Sequence, residues 1–403
     1  MHSRRTFLQT SAAAAACLAS GVWTARAENA PGVTDTEIKL GQTMPYSGPA
    51  SAYGVIGRAE AAYFKAINDA GGINGRKINL ISLDDGYSPP KTVEQTRYLI
   101  EHERVAFIFG SLGTPTNAAI RSYLNDNKVP QLFISTGSSL FGDPKHFPWT
   151  MGNIASYQTE AHIFAKHILA IKPDAEIGVL YQNDGYGRDY LTGLHEGLGS
   201  DHAGMLVKEV SYEVSEPTVD SQVATLQGAG VDTLIIAATP RAAAQAIRKA
   251  HDIGWTPQRY LNYPASSITA TLKPAGLEKS KGVITGTFGK DPADPRWKDD
   301  AGYKEWVSFV AKSMTPADLI DGNAVTAWGV ARMMVQVLKQ CGDDLSRESI
   351  MRQATNLKDF ELPMLLPGIK INTSPDNYFP IRQMQLARFN GENWELFGDL
   401  MSD

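Results

Sequence analysis

Three loops rich in glycine and hydroxyl side chains are the parts of this sequence best suited to hold an anion. They span residues 46–53, 110–117 and 135–139, and each follows a predicted strand and leads toward a predicted helix. Backbone N–H groups at the start of a helix carry a partial positive charge, and Ser and Thr hydroxyls add further donors. These loops predict a carboxylate ligand, although the same residues would also cap their own helices.

Two tyrosines, each in a loop that follows a predicted strand, predict an aromatic wall beside such a ligand. Tyr53 lies in the first of the three loops, and Tyr186 follows a predicted strand at 177–181, within Asn183-Asp184-Gly185-Tyr186-Gly187. In open α/β sheets the ligand lies beyond the carboxyl ends of the strands. The two rings can therefore close over an apolar or aromatic ligand body from opposite sides.

The sequence offers little that could carry out catalysis. It contains neither a Gly-x-Ser-x-Gly nucleophile motif nor a Gly-x-x-x-x-Gly-Lys-Ser/Thr phosphate loop. His162 and His167 stand five residues apart, a spacing that turns them to different faces of a helix rather than to one metal ion. Asp84 and Asp85 could act as paired acids, but their place at a strand end favours capping of the next turn. We expect no catalytic residue, no metal and no cofactor.

The order of predicted elements indicates an α/β fold. From Glu37 onward, short apolar runs typical of strands alternate with amphipathic helical stretches, as in parallel sheets covered on both faces. A second series of such units begins at about Ala155. A strand bounded by glycines at 282–288 indicates a return to the first series. The predicted limits are 28–154 with 286–372 for lobe one, and 155–285 with 373–403 for lobe two.

The first 27 residues are typical of an export signal. Arg4 and Arg5 precede an Ala-rich apolar stretch that ends in the small-x-small sequence Ala25-Arg26-Ala27. The paired arginines indicate a twin-arginine signal cleaved after Ala27, with an ordinary secretion signal as the alternative. Lipidation of Cys17 is a further alternative. The sequence thus predicts a periplasmic protein.

The net charge excludes some classes of binding partner, and the cysteine count excludes a disulfide within the mature chain. Removing the three arginines of the signal from a chain of net charge −5 leaves −8, which argues against nucleic acid or an anionic membrane as partner. Only Cys341 remains after cleavage, so the mature chain cannot form an intramolecular disulfide. We expect a monomer.

Several motifs in a fixed order resemble those of the periplasmic branched-chain amino-acid-binding family (leucine/isoleucine/valine-binding proteins) of ABC-transporter receptors. The resemblance covers nearly the whole mature chain. It rests on these stretches: Ile38-Lys39-Leu40-Gly41, Ser47-Gly48-Pro49, Tyr53-Gly54, Ile67-Asn68 with Gly71-Gly72-Ile73-Asn74-Gly75, Asp84-Asp85 with Pro90-Lys91-Thr92-Val93, and Gly185-Tyr186-Gly187.

This resemblance implies two Rossmann-like lobes joined by three crossovers, the periplasmic binding protein type I fold, which closes on its ligand by a hinge motion. It implies a small-molecule ligand and an inner-membrane permease as partners. It also implies that lobe one fixes the ligand carboxylate near Gly113, Thr114, Thr136 and Ser138. Tyr53 and Tyr186 would pack beside it.

One departure from the family pattern bears on the ligand. Amino-acid-binding members place an acidic residue just after the strand at 259–263, whereas this sequence has Pro264-Ala265-Ser266-Ser267. Because a buried ammonium without a counter-charge is costly, we hypothesise an aromatic or short aliphatic acid that lacks an α-amino group. Asp184 or Asp321 could still supply the charge, which leaves an amino acid as the alternative. A periplasmic sensor or enzyme on the same fold is the alternative of another class.

Overall fold

The computed structural model describes residues 29–402. The predicted export signal, with Arg4, Arg5, Cys17 and the cleavage site after Ala27, lies outside these residues. Within them the chain forms two sheets, each covered by helices.

Five parallel strands form the first sheet: β1 (Glu37–Met44), β2 (Lys77–Asp84), β3 (Phe107–Phe109), β4 (Gln131–Ile134) and β5 (Thr150–Gly152). Their spatial order is β2-β1-β3-β4-β5. Every residue of β3 and β4 is buried, because strands covered on both faces have no side that meets water.

Seven strands form the second sheet: β6 (Ile177–Gln182), β7 (Leu206–Tyr212), β8 (Thr233–Ala237), β9 (Gln258–Leu261), β10 (Ile284–Thr287), β11 (Gln383–Phe389) and β12 (Trp394–Ser402). Their spatial order is β12-β11-β10-β9-β8-β6-β7. The strands from β6 to β10 are parallel, and β11 and β12 add an antiparallel hairpin at one edge.

The described helices are α1 (Val55–Asp69), α2 (Pro89–Glu101), α3 (Thr114–Asp126), α4 (Tyr157–Ile171), α5 (Gly185–Leu198), α6 (Asp220–Gly228), α7 (Pro240–Asp252), the short α8 (Lys273–Ala275), α9 (Ala301–Ser313), α10 (Gly322–Cys341) and α11 (Arg347–Ala354). Helix α10 packs along α1, and Trp328 meets Tyr63 edge-on with ring centroids 6.4 Å apart. A late segment of chain therefore completes the first lobe.

The chain passes between the two lobes three times: after β5, after β10 toward the helices α9 and α10 that pack on α1, and before β11. This confirms the predicted two-lobed α/β fold with three crossovers. Strand β10 stays in the second sheet through Thr287, and the hydroxyl of Tyr378 donates to the carbonyl of Pro148 in the first lobe. On this packing we propose that the chain returns to lobe one after residue 287 and to lobe two near 383, in place of the returns predicted at 286 and 373.

The two lobes are closed on each other. The N–H and hydroxyl of Ser139 in the first lobe donate to the carboxylate of Asp189 in α5, at 3.0 and 2.6 Å. The hydroxyl of Tyr263 lies 2.8 Å from that of Thr326 in α10, which joins the lobes a second time. These bonds hold the two lobes together around the space between them.

Glu160 in α4 ties the first crossover to the second sheet. Its buried carboxylate accepts hydrogen bonds from the hydroxyl of Tyr190 and from the N–H groups of Tyr263 and Gly286. Burial raises the pKa of this carboxyl to about 8, against the opposing effect of the three donors. The folded state therefore holds a proton that the unfolded state, with an ordinary Glu, releases near pH 4.

We predict that the protein loses stability as the pH rises from 7 to 9. A folded-state pKa above the unfolded one contributes stability that is lost progressively from the unfolded pKa up to the folded one, so stability still falls at pH 7 and levels off above about pH 8. Thermal denaturation at pH 7, 8 and 9 should show a falling Tm, and Glu160→Gln should flatten the slope. Glu392→Gln, at an exposed position, should keep the slope of the parent. A parent Tm that is flat over this range would contradict the prediction.

Candidate ligand-binding site

A cavity lies between the closed lobes, at the carboxyl ends of the strands of both sheets. The space between atoms there is about 640 Å³, part of which is open to solvent. We call it the ligand cavity. Its walls are Tyr53, Ile56, Tyr87, Leu112, Gly113, Thr114, Ser135, Asn153, Ile154, Tyr157, Tyr186, Thr239, Tyr263, Pro264, Asn323, Thr326, Ala327 and Val330.

Five tyrosines dominate the wall: Tyr53, Tyr87, Tyr157, Tyr186 and Tyr263. The rings of Tyr157 and Tyr186 meet edge-on with centroids 5.0 Å apart, so the aromatic surface continues from the first crossover into the second lobe. Burial raises the pKa of each of these hydroxyls above the ordinary value for tyrosine. The hydroxyls therefore stay protonated at neutral pH, and the wall offers flat apolar faces together with neutral donors.

The N-terminus of α3 meets the ligand cavity at Gly113 and Thr114. Gly113 has φ +104°, and a Cβ there would lie 2.6 Å from Thr116 Oγ1 and from the ring of Tyr87, so only glycine fits. The hydroxyl of Thr114 lies 2.7 Å from that of Thr136. This end of the cavity combines a helix N-terminus with a threonine hydroxyl, which suits a carboxylate.

None of the residues that line the ligand cavity in the described chain is Asp, Glu, Lys, Arg or His. Pro264, the first residue of the Pro264-Ala265-Ser266-Ser267 segment, forms part of the wall. A carboxylate that enters must therefore be held by neutral donors, and an ammonium meets no counter-charge on the wall.

Four carboxyl groups, three of them buried and that of Asp184 half-buried, lie close behind the wall, and each accepts the backbone N–H of a cavity residue at 2.9 Å. The pairs are Asp85 with Tyr87, Asp184 with Tyr186, Glu160 with Tyr263, and Asp321 with Asn323. Burial raises the pKa of all four carboxyls. These acids position the wall instead of facing the ligand.

Asp184 and Asp321 were the two acids that the sequence left open as partners for a ligand ammonium. Asp184 caps α5 and also accepts from the amide of Gln182. Asp321 caps α10 and accepts from the hydroxyls of Ser267 and Thr269. Both carboxylates are engaged by protein donors.

Asp84 and Asp85 accept backbone N–H groups in the turn at the end of β2, the structural role that the sequence favoured over paired acids. Asp84 accepts from the N–H groups of Tyr46, Ser47 and Gly86. Asp85 accepts from the N–H of Tyr87, which adopts φ +62° and directs its ring into the cavity wall. The two acids thus shape the loop beside the ligand.

Three polar atoms of the cavity wall have no hydrogen-bond partner within the described residues: the hydroxyl of Tyr186, Oδ1 of Asn153 and Nδ2 of Asn323. Buried polar atoms are almost always paired. These three are therefore the natural contacts for polar groups of a ligand.

Of the seven residues predicted from the sequence, Tyr53, Gly113, Thr114, Tyr186 and Pro264 lie on the cavity wall. Thr136 lies behind the wall, between the hydroxyls of Thr114 and Tyr157. Ser138 faces elsewhere, since its hydroxyl accepts the N–H of Leu140 and caps the next turn.

Sequence reasoning missed several wall residues. Tyr87, Asn153 and Tyr263 each lie within three residues of the carboxyl end of a strand. The expectation that ligands bind beyond the carboxyl ends of strands, which pointed to Tyr186, would also have pointed to these three residues. Asn323 and Thr326 lie on α10, far along the chain, and carried no signal in the sequence.

Across residues 29–402, no helix is long and apolar enough to cross a membrane. Within the same residues, no cluster of three or more His, Cys, Asp or Glu side chains is arranged to hold a metal ion.

The two closed lobes with an uncharged cavity at their strand ends define a solute-binding protein. The periplasmic binding protein family model matches residues 37–393, and the chain belongs to this family. It is a substrate-binding protein of the ABC-transporter type and not an enzyme. The resemblance drawn from the sequence motifs is thereby confirmed.

Similar proteins span several ligand types. Leu/Ile/Val-binding protein homolog 1 from Brucella abortus (strain 2308) is 25% identical over 317 residues, which cover 77% of this chain and 81% of the relative. A fatty acid ABC transporter substrate-binding protein from Thermomonospora curvata has a TM-score of 0.80 at 22% identity, over 94% of this chain and 95% of its own. An ABC-transporter solute-binding protein from R. palustris, in complex with 4-hydroxybenzoate, has a TM-score of 0.76 at 16% identity, over 91% and 97%.

We predict that Tyr186→Phe leaves the ligand-free protein as stable as the parent, or more so. The substitution removes a buried hydroxyl without a partner and keeps the ring. Tyr190→Phe is the matched control: it deletes a hydroxyl bonded to Glu160 and should cost about 1–3 kcal/mol of unfolding free energy. Urea unfolding of the three proteins distinguishes them. Equal losses in both variants would show that the Tyr186 hydroxyl has a protein partner.

Proposed function

We propose that this protein captures a small carboxylic acid without an α-amino group, aromatic or short aliphatic, and delivers it to an inner-membrane permease. The observation that carries the proposal is the absence of any charged side chain on the described wall of the ligand cavity. We further propose that the mature protein is a periplasmic monomer, exported by a twin-arginine signal and cleaved after Ala27.

The carboxylate has one favourable place in the cavity. At the start of α3 the backbone N–H groups and the hydroxyl of Thr114 are donors, and the helix dipole favours negative charge. Ser135 adds a hydroxyl on the same side of the first lobe. We place the carboxylate there and the ligand body among the tyrosine rings.

The ligand body meets flat rings and neutral hydroxyls. Tyr53 and Tyr87 come from the first lobe, and Tyr186 and Tyr263 from the second, so an aromatic or branched aliphatic body is enclosed on both sides. The R. palustris complex with 4-hydroxybenzoate supports an aromatic acid by likeness of fold.

An α-amino acid is the second candidate, and the relative named as a Leu/Ile/Val-binding protein homolog favours it. It requires a carboxylate to leave its present donors and turn toward the ligand. Asp184 and Asp321 would each have to give up the hydrogen bond from a backbone N–H by which the carboxylate caps its helix. That rearrangement adds to the cost of burying the ammonium.

Pairs of acids that differ only in the α-amino group test whether the cavity lacks a counter-charge for an ammonium. We expect 3-phenylpropionate to bind more tightly than phenylalanine, and 4-methylpentanoate more tightly than leucine, because each pair differs only in the α-amino group. A penalty of about 3 kcal/mol or more for an unpaired ammonium corresponds to about 100-fold or more in Kd. Isothermal titration calorimetry on the purified chain measures both members of each pair, with benzoate and 4-hydroxybenzoate as further acids.

The opposite order would sink the proposal in favour of an amino-acid receptor. In that case Asp184→Asn and Asp321→Asn show which acid supplies the charge, since only the variant that removes the partner loses amino-acid binding. Binding of neither class would overturn both candidates.

Thr114→Val should weaken binding of the same acids about 10- to 100-fold, because it removes a hydroxyl that donates to the carboxylate while keeping side-chain shape. Ser138→Ala is the matched control, since Ser138 does not line the ligand cavity and its hydroxyl accepts the N–H of Leu140. Its Kd should equal that of the parent even if its Tm falls. A larger loss in Ser138→Ala than in Thr114→Val would place the carboxylate elsewhere.

A further inference from the structure

A second cavity lies beside the ligand cavity, inside the first lobe. It lies between one flank of α10 and the segment 362–365, and its space between atoms is about 410 Å³, part of which is open to solvent. We call it the annex. Its walls are Asn153, Phe288, Gly289, Val325, Thr326, Trp328, Gly329, Val330, Met333, Leu362, Pro363, Met364, Leu365 and Ile381.

The annex and the ligand cavity share part of their walls. Asn153, Thr326 and Val330 line both, so the two spaces meet at these side chains. Thr326 and Val330 stand one turn apart on α10, and the helix forms the border between the spaces. A ligand group that passes these three residues enters the annex.

The side chains around the annex are almost all apolar, and in the described chain none of them is charged. Leu362, Met364 and Leu365 close its far side, and Met333 adds a flexible side chain that can adapt to an occupant. An alkyl group is therefore the chemistry that fits this space. Charged or strongly polar groups would lose their hydration without a partner.

The border between the two spaces carries an unpartnered polar atom. Asn153 is 1% exposed, and its Oδ1 accepts no hydrogen bond within the described residues. An alkyl group has no donor for this oxygen, so we expect a polar group of the ligand or a water molecule to pair with it at the border.

A third cavity also touches the ligand cavity but is less suited to a ligand. Its ionic side chains are engaged: Lys290 donates to the carbonyl of Pro363 and pairs with Asp300, and Asp294 pairs with Arg296. The hydrogen bond between Tyr263 and Thr326 joins two of the residues at its border with the ligand cavity. The annex has no such bond among its border residues.

We propose that the annex receives an apolar substituent of the ligand, so that the natural ligand is an acid with an alkyl extension at the end opposite its carboxylate. This inference rests on the proposed function, because the carboxylate at α3 sets the direction in which the ligand extends. Each methylene that enters the annex should tighten binding about fourfold.

Two homologous series test the annex: benzoate to 4-butylbenzoate, and butanoate to decanoate. Calorimetry on the full chain should show Kd falling with each added carbon in at least one series and levelling once the annex is full. Leu362→Phe fills the annex and should stop the fall at a shorter chain. Leu362→Ala enlarges it and should move the levelling to a longer chain.

The shortest member of each series is the internal control. Benzoate and butanoate do not reach the annex and should bind the parent and both variants alike, which also shows that the variants are folded. Binding of short acids with no dependence on chain length, or a dependence that both variants leave unchanged, would overturn the annex and leave the proposed function standing. Failure of every acid to bind would overturn the proposed function itself.

Discussion

Pairing between buried carboxylates and backbone N–H groups holds the ligand cavity in shape. Asp85, Glu160, Asp184 and Asp321 each fix one wall residue through its N–H, and the acids come from the second strand, the first crossover and the starts of α5 and α10. Hydrogen bonds of this kind are stronger in the protein interior than in water, because the local dielectric constant is low. Each of these bonds fixes the backbone of a wall residue within the closed structure, and three of those residues are tyrosines.

The same pairing explains how a cavity surrounded by acids can present an uncharged wall. Carboxylates that accept the N–H groups of the wall are turned away from the space in front of it. In the described residues the ligand thus meets hydroxyls, amides, rings and the N-terminus of α3.

Much of this arrangement could be predicted from local sequence. The alternation of strands and helices predicted the two-lobed fold. The expectation that ligands bind beyond the carboxyl ends of strands pointed to Tyr53, Thr114 and Tyr186 as neighbours of one ligand. The same expectation led to Ser138, whose hydroxyl instead caps a turn. A hydroxyl at a helix start can serve the ligand or the helix, and the residue type does not distinguish the two.

The sequence by itself determined the fold class, the family and the lack of an acid after β9, because each depends on residue types in a local order. Only the tertiary structure decided which acids are engaged and where the cavity extends. Glu160 meets Tyr263 across 103 residues of chain, and the annex forms where α10, the segment 362–365 and the crossovers come together. Hydrogen-bond partners and cavity walls of this kind depend on distances between segments remote in sequence, which no local pattern encodes.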